Sequence, residues 1–180
     1  MTRCEDTIIH EGMGHMKKSV FLVFGQNRNL KNQIHLALQK WGIESITIED
    51  HGEIGLTTIE NLELLAQRAE FAIVIFSGDD EGRIREPEKK EEDKMKLEIR
   101  ARQNVIAELG YFTAKYGRGN VCTLYEKGVS IPSDFSGVTY ISLENSWEMK
   151  LIQYLQKRGF SIKFKRVIIW IETFWECGYG

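Results

Sequence analysis

The sequence predicts an α/β sandwich in which a five-stranded, mostly parallel sheet carries helices on both faces. Three observations predict it. Short apolar runs alternate with helical patterns along the chain, which is the order of a doubly wound sheet with right-handed crossovers. The run "FAIVIF" is apolar throughout, as a strand covered on both faces must be. Every strong element falls between Lys18 and Phe160, and 180 residues are enough for one domain with a substantial core. The strand order expected is 2-1-3-4-5, flavodoxin-like, with its ligand crevice outside the C-terminal ends of the first and third strands.

The elements follow in order. "SVFLVFG" has the length and the β-branched and aromatic content of a buried first strand, and its closing glycine permits a sharp turn. In "NLKNQIHLALQKWG", Leu30, Ile34, Leu38 and Trp41 recur at helical spacing and Gly42 stands as a C-terminal stop. "ESITIE" is the second strand. The helix "TTIENLELLAQRAE" has Thr57 or Thr58 as its cap and Leu62, Leu65 and Ala69 on its inner face. "FAIVIF" is the sheet centre. The charged stretch "SGDDEGRIREPEKKEEDKMK" has no period that could bury a face, so a mobile excursion is expected there. Then come the helix beginning "ARQNVIAELGYF", the fourth strand "NVCTLYE", the turn-rich "KGVSIPSDFSG", the fifth strand "VTYISL" and the last helix "SWEMKLIQYLQKRG". Residues 1–17 read as a flexible extension, 18–160 as the domain, and 161–180 as an apolar tail or the stub of a further domain.

Composition excludes more than it names. Twenty-four basic and 26 acidic residues leave a formal charge of −2, too little for a field that would attract a nucleic acid polymer or an anionic membrane. Neither a signal peptide nor a membrane-spanning run is apparent. The three scattered cysteines, Cys4, Cys122 and Cys177, lack zinc or redox spacing, so a reduced, cytoplasmic protein is the expectation. "GQNRNLKNQ" matches neither phosphate-cradling nor dinucleotide-binding glycine motifs. A phospho-acceptor receiver would want an aspartate at the end of the third strand, where Phe76 and Ser77 stand. The histidines have no metal spacing, and Asp79, Asp80 and Glu81 fit no EF-hand, so no metal is assigned.

The chemistry-bearing residue is Glu108. At about 100° per residue, Ala101, Val105, Leu109, Phe112 and Tyr116 form the inner stripe of their helix. Glu108 lies on its flank beside Asn104, at the boundary of core and crevice. Periodicity leaves two readings open: a rim charge satisfied by water or by Arg102, or a carboxylate placed for chemistry.

The string "ARQNVIAELGYFTAKYGRGNVCTLYEKGVSIPSDFSGVTYISL" resembles the Toll/interleukin-1 receptor (TIR)-like, predicted nucleotide-binding domains of bacterial anti-phage effectors. These also occur fused to STING or other cyclic-nucleotide sensors. The resemblance covers about residues 18–159 and is most specific from Arg102 to Tyr111. It implies a TIR-type flavodoxin-like fold and an NAD+ hydrolase that cleaves the nicotinamide–ribose bond, with Glu108 catalytic and NAD+ as substrate rather than cofactor. It implies too that activity depends on self-association, and that a cyclic-nucleotide sensor, as domain or separate chain, supplies the trigger. Where such domains often read His-Gly-Arg-Asp, this chain has Phe24, Gly25, Gln26 and Asn27.

Substrate contacts are then expected from Phe24, Gly25 and Arg28 after the first strand and from Ser77, Gly78 and Asp80 after the third. Gly55 and Thr57 in the loop "HGEIGLTT", and Arg102 and Asn104 at the helix start, complete the set. Arg28 would meet the pyrophosphate, or else be a solvated loop arginine. Gly52 and Gly55 would let their loop act as a gate, or else form an ordinary turn. Two other functions fit the residues: a nucleoside deoxyribosyltransferase-like enzyme with a glutamate nucleophile, and a non-catalytic TIR adaptor or nucleotide-binding module.

Overall fold

The computed structural model describes residues 18–83 and 97–163. The expected extension, most of the charged excursion and nearly all of the tail lie outside them.

Five strands form one parallel sheet: β1 (Ser19–Val23), β2 (Glu44–Ile46), β3 (Phe71–Phe76), β6 (Val121–Tyr125) and β8 (Thr139–Ser142). Their order is β2-β1-β3-β6-β8, the expected 2-1-3-4-5. β1 and β3 lie in register from Val20 opposite Phe71 to Val23 opposite Val74, and β3 then pairs β6 along its length. All of β3 is buried, which is why it carries no polar residue.

Two helical layers cover the sheet. On one side α1 (Arg28–Lys40) and α5 (Trp147–Lys157) bury Leu30, Ile34, Leu38, Leu151 and Leu155 against Leu22, Ile73 and Leu124. On the other, α3 (Thr58–Leu65) and α4 (Gln103–Tyr116) bury Leu62, Leu65, Val105, Leu109 and Phe112 against Phe21, Val23, Ala72 and Val74. Phe112 stacks on Phe21 with ring centroids 4.6 Å apart. The Tyr116 hydroxyl donates to the Ala66 carbonyl at 2.6 Å, tying the end of α4 to the end of α3. The inner stripe of α4 is thus the one that its periodicity predicts. Gly42 takes φ +75° straight after α1 and Trp41, the left-handed conformation that a helix stop favours.

Two features differ from expectation. The strand expected through "ESITIE" ends at Ile46, because Thr47 accepts from the Asp50 N–H at 3.0 Å and opens a single-turn helix, α2 (Ile48–His51). The charged stretch after β3 is not wholly irregular. β4 (Asp80–Gly82) runs antiparallel to β5 (Glu98–Arg100), which pairs in parallel with β7 (Val129–Ser130), giving a second, three-stranded sheet. Main-chain hydrogen bonds can build such a ladder without the apolar alternation that sequence reading relies on. Among the described residues no helix is long and apolar enough to cross a membrane.

Candidate active site

Both α3 and α4 begin above the C-terminal ends of the parallel strands, and a cleft of about 300 Å³ opens between them. Thr58, Ile59 and Leu62 of α3 form one wall; Asn104, Ala107, Glu108 and Tyr111 of α4 form the other. The spacing of α4 sets this up. Val105, Leu109 and Phe112 face the sheet, so Asn104, Glu108 and Tyr111, one turn apart in succession, line the flank that faces α3.

Glu108 is half-buried there, and among the described residues no hydrogen bond or ion pair holds its carboxylate. Arg102, the partner considered for a rim charge, forms no ion pair with it. Among the described residues, no lysine, arginine or histidine lines the cleft. Burial among apolar walls pushes the Glu108 carboxyl from its ordinary value up to about 7. A carboxylate held this way ionises near neutrality and can act as a base or stabilise a developing cation. A second hollow, of about 650 Å³, lies over the small sheet between Glu81, Leu97, Glu98, Ile99, Gly128 and Ser130. It is the larger but shallower of the two, with exposed carboxylates and no aromatic wall, so the chemistry favours the Glu108 cleft.

Of the other residues singled out from sequence, Asn104 lines the Glu108 cleft and the rest lie outside its walls. The Phe24 ring packs with the α1 and α5 layer, beneath the Lys31 ammonium at 5.4 Å, and so belongs to the opposite face. Arg28 pairs with Glu49 at 2.8 Å. Lys31 reaches Asp50 at 2.9 Å, so α2 is pinned to α1. Thr57 caps α3 in a reciprocal box: its hydroxyl accepts from the Glu60 N–H, and the Glu60 carboxylate accepts from the Thr57 N–H. Gly55 is exposed at φ +95° with open space around it. Arg102 stands exposed at the N-terminal cap of α4 without bonding the helix through its side chain.

Gly25, Ser77 and Gly78 gather at the strand ends around two carboxylates that the sequence reading gave no role in the crevice. Asp79 Oδ2 accepts from the Gln26 N–H at 3.1 Å and from the Ser77 hydroxyl at 2.9 Å. A Cβ on Gly25 would fall 1.8 Å from that oxygen, so the glycine makes room for Asp79. Glu126, just past β6, accepts from the Gly78 N–H at 2.9 Å and from the Asn27 side-chain amide at 3.0 Å. Asp80 stands across from Arg100 in the small sheet. The glutamate is 48 residues from Gly78 and 99 from Asn27, so no local pattern announces it.

Comparison with known proteins follows the same outline. A family model described as CAP12/Pycsar effector protein, TIR domain, matches residues 19–145. The uncharacterized protein YuaY of Escherichia coli (strain K12) is 33% identical over 146 residues, covering 80% of this chain and 46% of that protein. Protein tirC of Dictyostelium discoideum is 32% identical over 130 residues, 68% of this chain and 63% of that protein. CD-NTase-associated protein 12 of Niabella drilacis is 34% identical over 83 residues, 46% of this chain and 24% of that protein. The chain spans about half the length of the first of these relatives and less than two thirds of the second.

Proposed function

The chain belongs to the TIR-domain family of CAP12/Pycsar effector proteins, and from that premise we propose that it is an NAD+ hydrolase that cleaves the nicotinamide–ribose bond. The observation that carries the reading is Glu108: a carboxylate half-buried in an apolar cleft, with no cation beside it among the described residues.

The chemistry suits a single acid residue. Glycosidases acting on ordinary sugars need one carboxyl group to protonate the leaving oxygen and a second to act on the other side. NAD+ needs no proton donor, because nicotinamide leaves as a neutral base from a ring that is already cationic. The C1′–N bond breaks, its electron pair goes to the nicotinamide nitrogen, and water adds to the oxocarbenium-like ribose with release of a proton. Glu108 stabilises that cation and orients the ribose hydroxyls. The pyridinium ring itself, arriving beside Glu108, lowers the carboxyl pKa and favours the ionised form. Ile59, Leu62 and Tyr111 supply an apolar wall beside the reacting bond.

The setting proposed is a cytoplasmic anti-phage effector that works as an assembly and answers to a cyclic-nucleotide sensor, carried either on the same polypeptide or on another. The effector description of the family supports it. So do Ile54, Leu56 and Ile59, exposed apolar residues in and just after the loop before α3, which a second copy would cover; Ile59 also lines the cleft.

Purified protein incubated with NAD+, at high concentration or with a crowding agent, should release nicotinamide, followed by chromatography. Glu108→Gln should not. Absence of nicotinamide under assembling conditions overturns the reading and leaves a non-catalytic TIR module; transfer of deoxyribose between bases instead would indicate the deoxyribosyltransferase-like enzyme.

A further inference from the structure

We infer that Glu126 and Asn27 form a positioning pair for substrate capture, the carboxylate tying the loop after β1 to the loop after β3 and so fixing the crevice that receives NAD+. The inference rests on the NAD+ hydrolase reading, but the bridge itself can be tested without it.

The geometry is a continuous chain of bonds. Glu126 Oε2 accepts from the Gly78 N–H at 2.9 Å, and Oε1 accepts from Asn27 Nδ2 at 3.0 Å. Asn27 Oδ1 in turn accepts from the Leu30 N–H at 3.1 Å and caps α1, which fixes which way the amide faces. The backbone of Glu126 is held as well: its N–H donates to the Phe76 carbonyl at 3.0 Å, and its carbonyl accepts from the Val129 N–H at 3.3 Å. One side chain therefore joins the ends of β1, β3 and β6 through charge-assisted bonds. Asp79 adds a parallel tie between the same two loops through Gln26 and Ser77. These loops flank the switch point of the parallel sheet, where ligands of such folds lodge.

A crevice so braced does not have to be ordered when substrate arrives, and ordering loops on binding weakens affinity. Glu108 is carried by α4, whose packing uses none of these bonds. Breaking the bridge should therefore raise KM for NAD+ and leave kcat nearly unchanged.

The test exchanges donor and acceptor. Glu126→Gln leaves one oxygen for two donors, so a bond is lost together with a charge. Asn27→Asp sets two carboxylates against each other and adds a charge, while aspartate still caps α1 as well as asparagine does. In the double variant the new amide donates to the new carboxylate, Gly78 keeps its acceptor, and the net charge equals that of the parent. Each single variant should raise KM about tenfold or more with kcat within about threefold, and the double should return KM to within about threefold of the parent. A role of the charge alone would move the two singles in opposite directions. Hydrogen exchange at the Gly78 amide, read on the same proteins without NAD+, should speed up in both singles and slow again in the double. Parental KM in the singles, or a double no better than the worse single, overturns the positioning role. Unchanged Gly78 exchange in the singles overturns the bridge. A parent that cleaves no NAD+ while the exchange pattern appears would sink the hydrolase reading and keep the bridge as a structural tie only.

Discussion

At the residue scale, everything turns on how one carboxyl group responds to burial. Glu108 has its pKa raised to about 7 with desolvation as the cause. For the free enzyme, kcat/KM for NAD+ should climb with pH through a midpoint near 7 and then level, since that ratio reports ionisations before substrate binds. Steady-state rates from pH 5 to 9 check this, and a flat profile would separate Glu108 from the chemistry. Glu108→Gln keeps shape and removes charge, so it should slow cleavage about a hundredfold to a thousandfold, roughly 3 to 4 kcal/mol. The same burial makes a stability claim. A carboxyl that titrates near 7 when folded and near 4.5 when unfolded holds its proton longer in the folded state, so its contribution is full below about 4.5 and is lost as pH rises through 7. Glu108→Gln should accordingly melt higher than the parent at pH 8, by about 3 °C or more, with the difference fading toward pH 4.5. Calorimetry at the two pH values decides it; a variant that melts lower at pH 8 would mean that the carboxylate has a stabilising partner. The helical period alone shows that Glu108 lies on a flank. It cannot show that α3 stands opposite, which is what turns a rim position into a cleft.

At the scale of elements, the strand ends differ most from a sequence-based picture. Gly25, Ser77 and Gly78 are legible as crevice residues because they follow β1 and β3, but the groups that organise them come from far along the chain. Gly25→Ala should put its methyl group into Asp79 and break the bonds to Gln26 and Ser77, at a cost of about 1 to 3 kcal/mol. In an Asp79→Ala background the same change should cost much less, because the clash has been removed. Urea unfolding of the four proteins gives the coupling, and additive costs would show that Gly25 is needed for some other reason. The central parallel strands β1, β3 and β6 were legible because each is a short, mostly apolar run that is covered on both faces. The small β4-β5-β7 sheet was not, since its strands are two or three residues long, with β4 and β5 rich in charge and partners set by the path of the chain rather than by a hydrophobic period. A threonine cap at Thr57 or Thr58 was legible because threonine favours that position; the structure settles on Thr57, whose Thr-x-x-Glu spacing completes a capping box with Glu60.

For the molecule as a whole, the cleft and the exposed apolar residues around the start of α3 share Ile59. Ile54 is fully exposed at the tip of the loop between α2 and α3, and Ile59, 64% exposed, belongs both to this fringe and to the wall facing Glu108. A monomer leaves these side chains in water, so a second copy that covered them would gain burial and also close the mouth of the cleft. Assembly and catalysis would then be linked through shared residues rather than through a distant rearrangement. Specific activity should rise steeply with protein concentration, following the appearance of larger species in light scattering. Ile54→Asp should leave the fold intact, because Ile54 buries nothing in the monomer, yet keep the protein monomeric and lower its activity at every concentration to that of the dilute parent. Melting temperature should stay within about 2 °C of the parent, as befits a surface change. If specific activity is instead constant over a hundredfold range of concentration while the protein stays monomeric, the cleft works without a neighbour and the exposed fringe has another purpose.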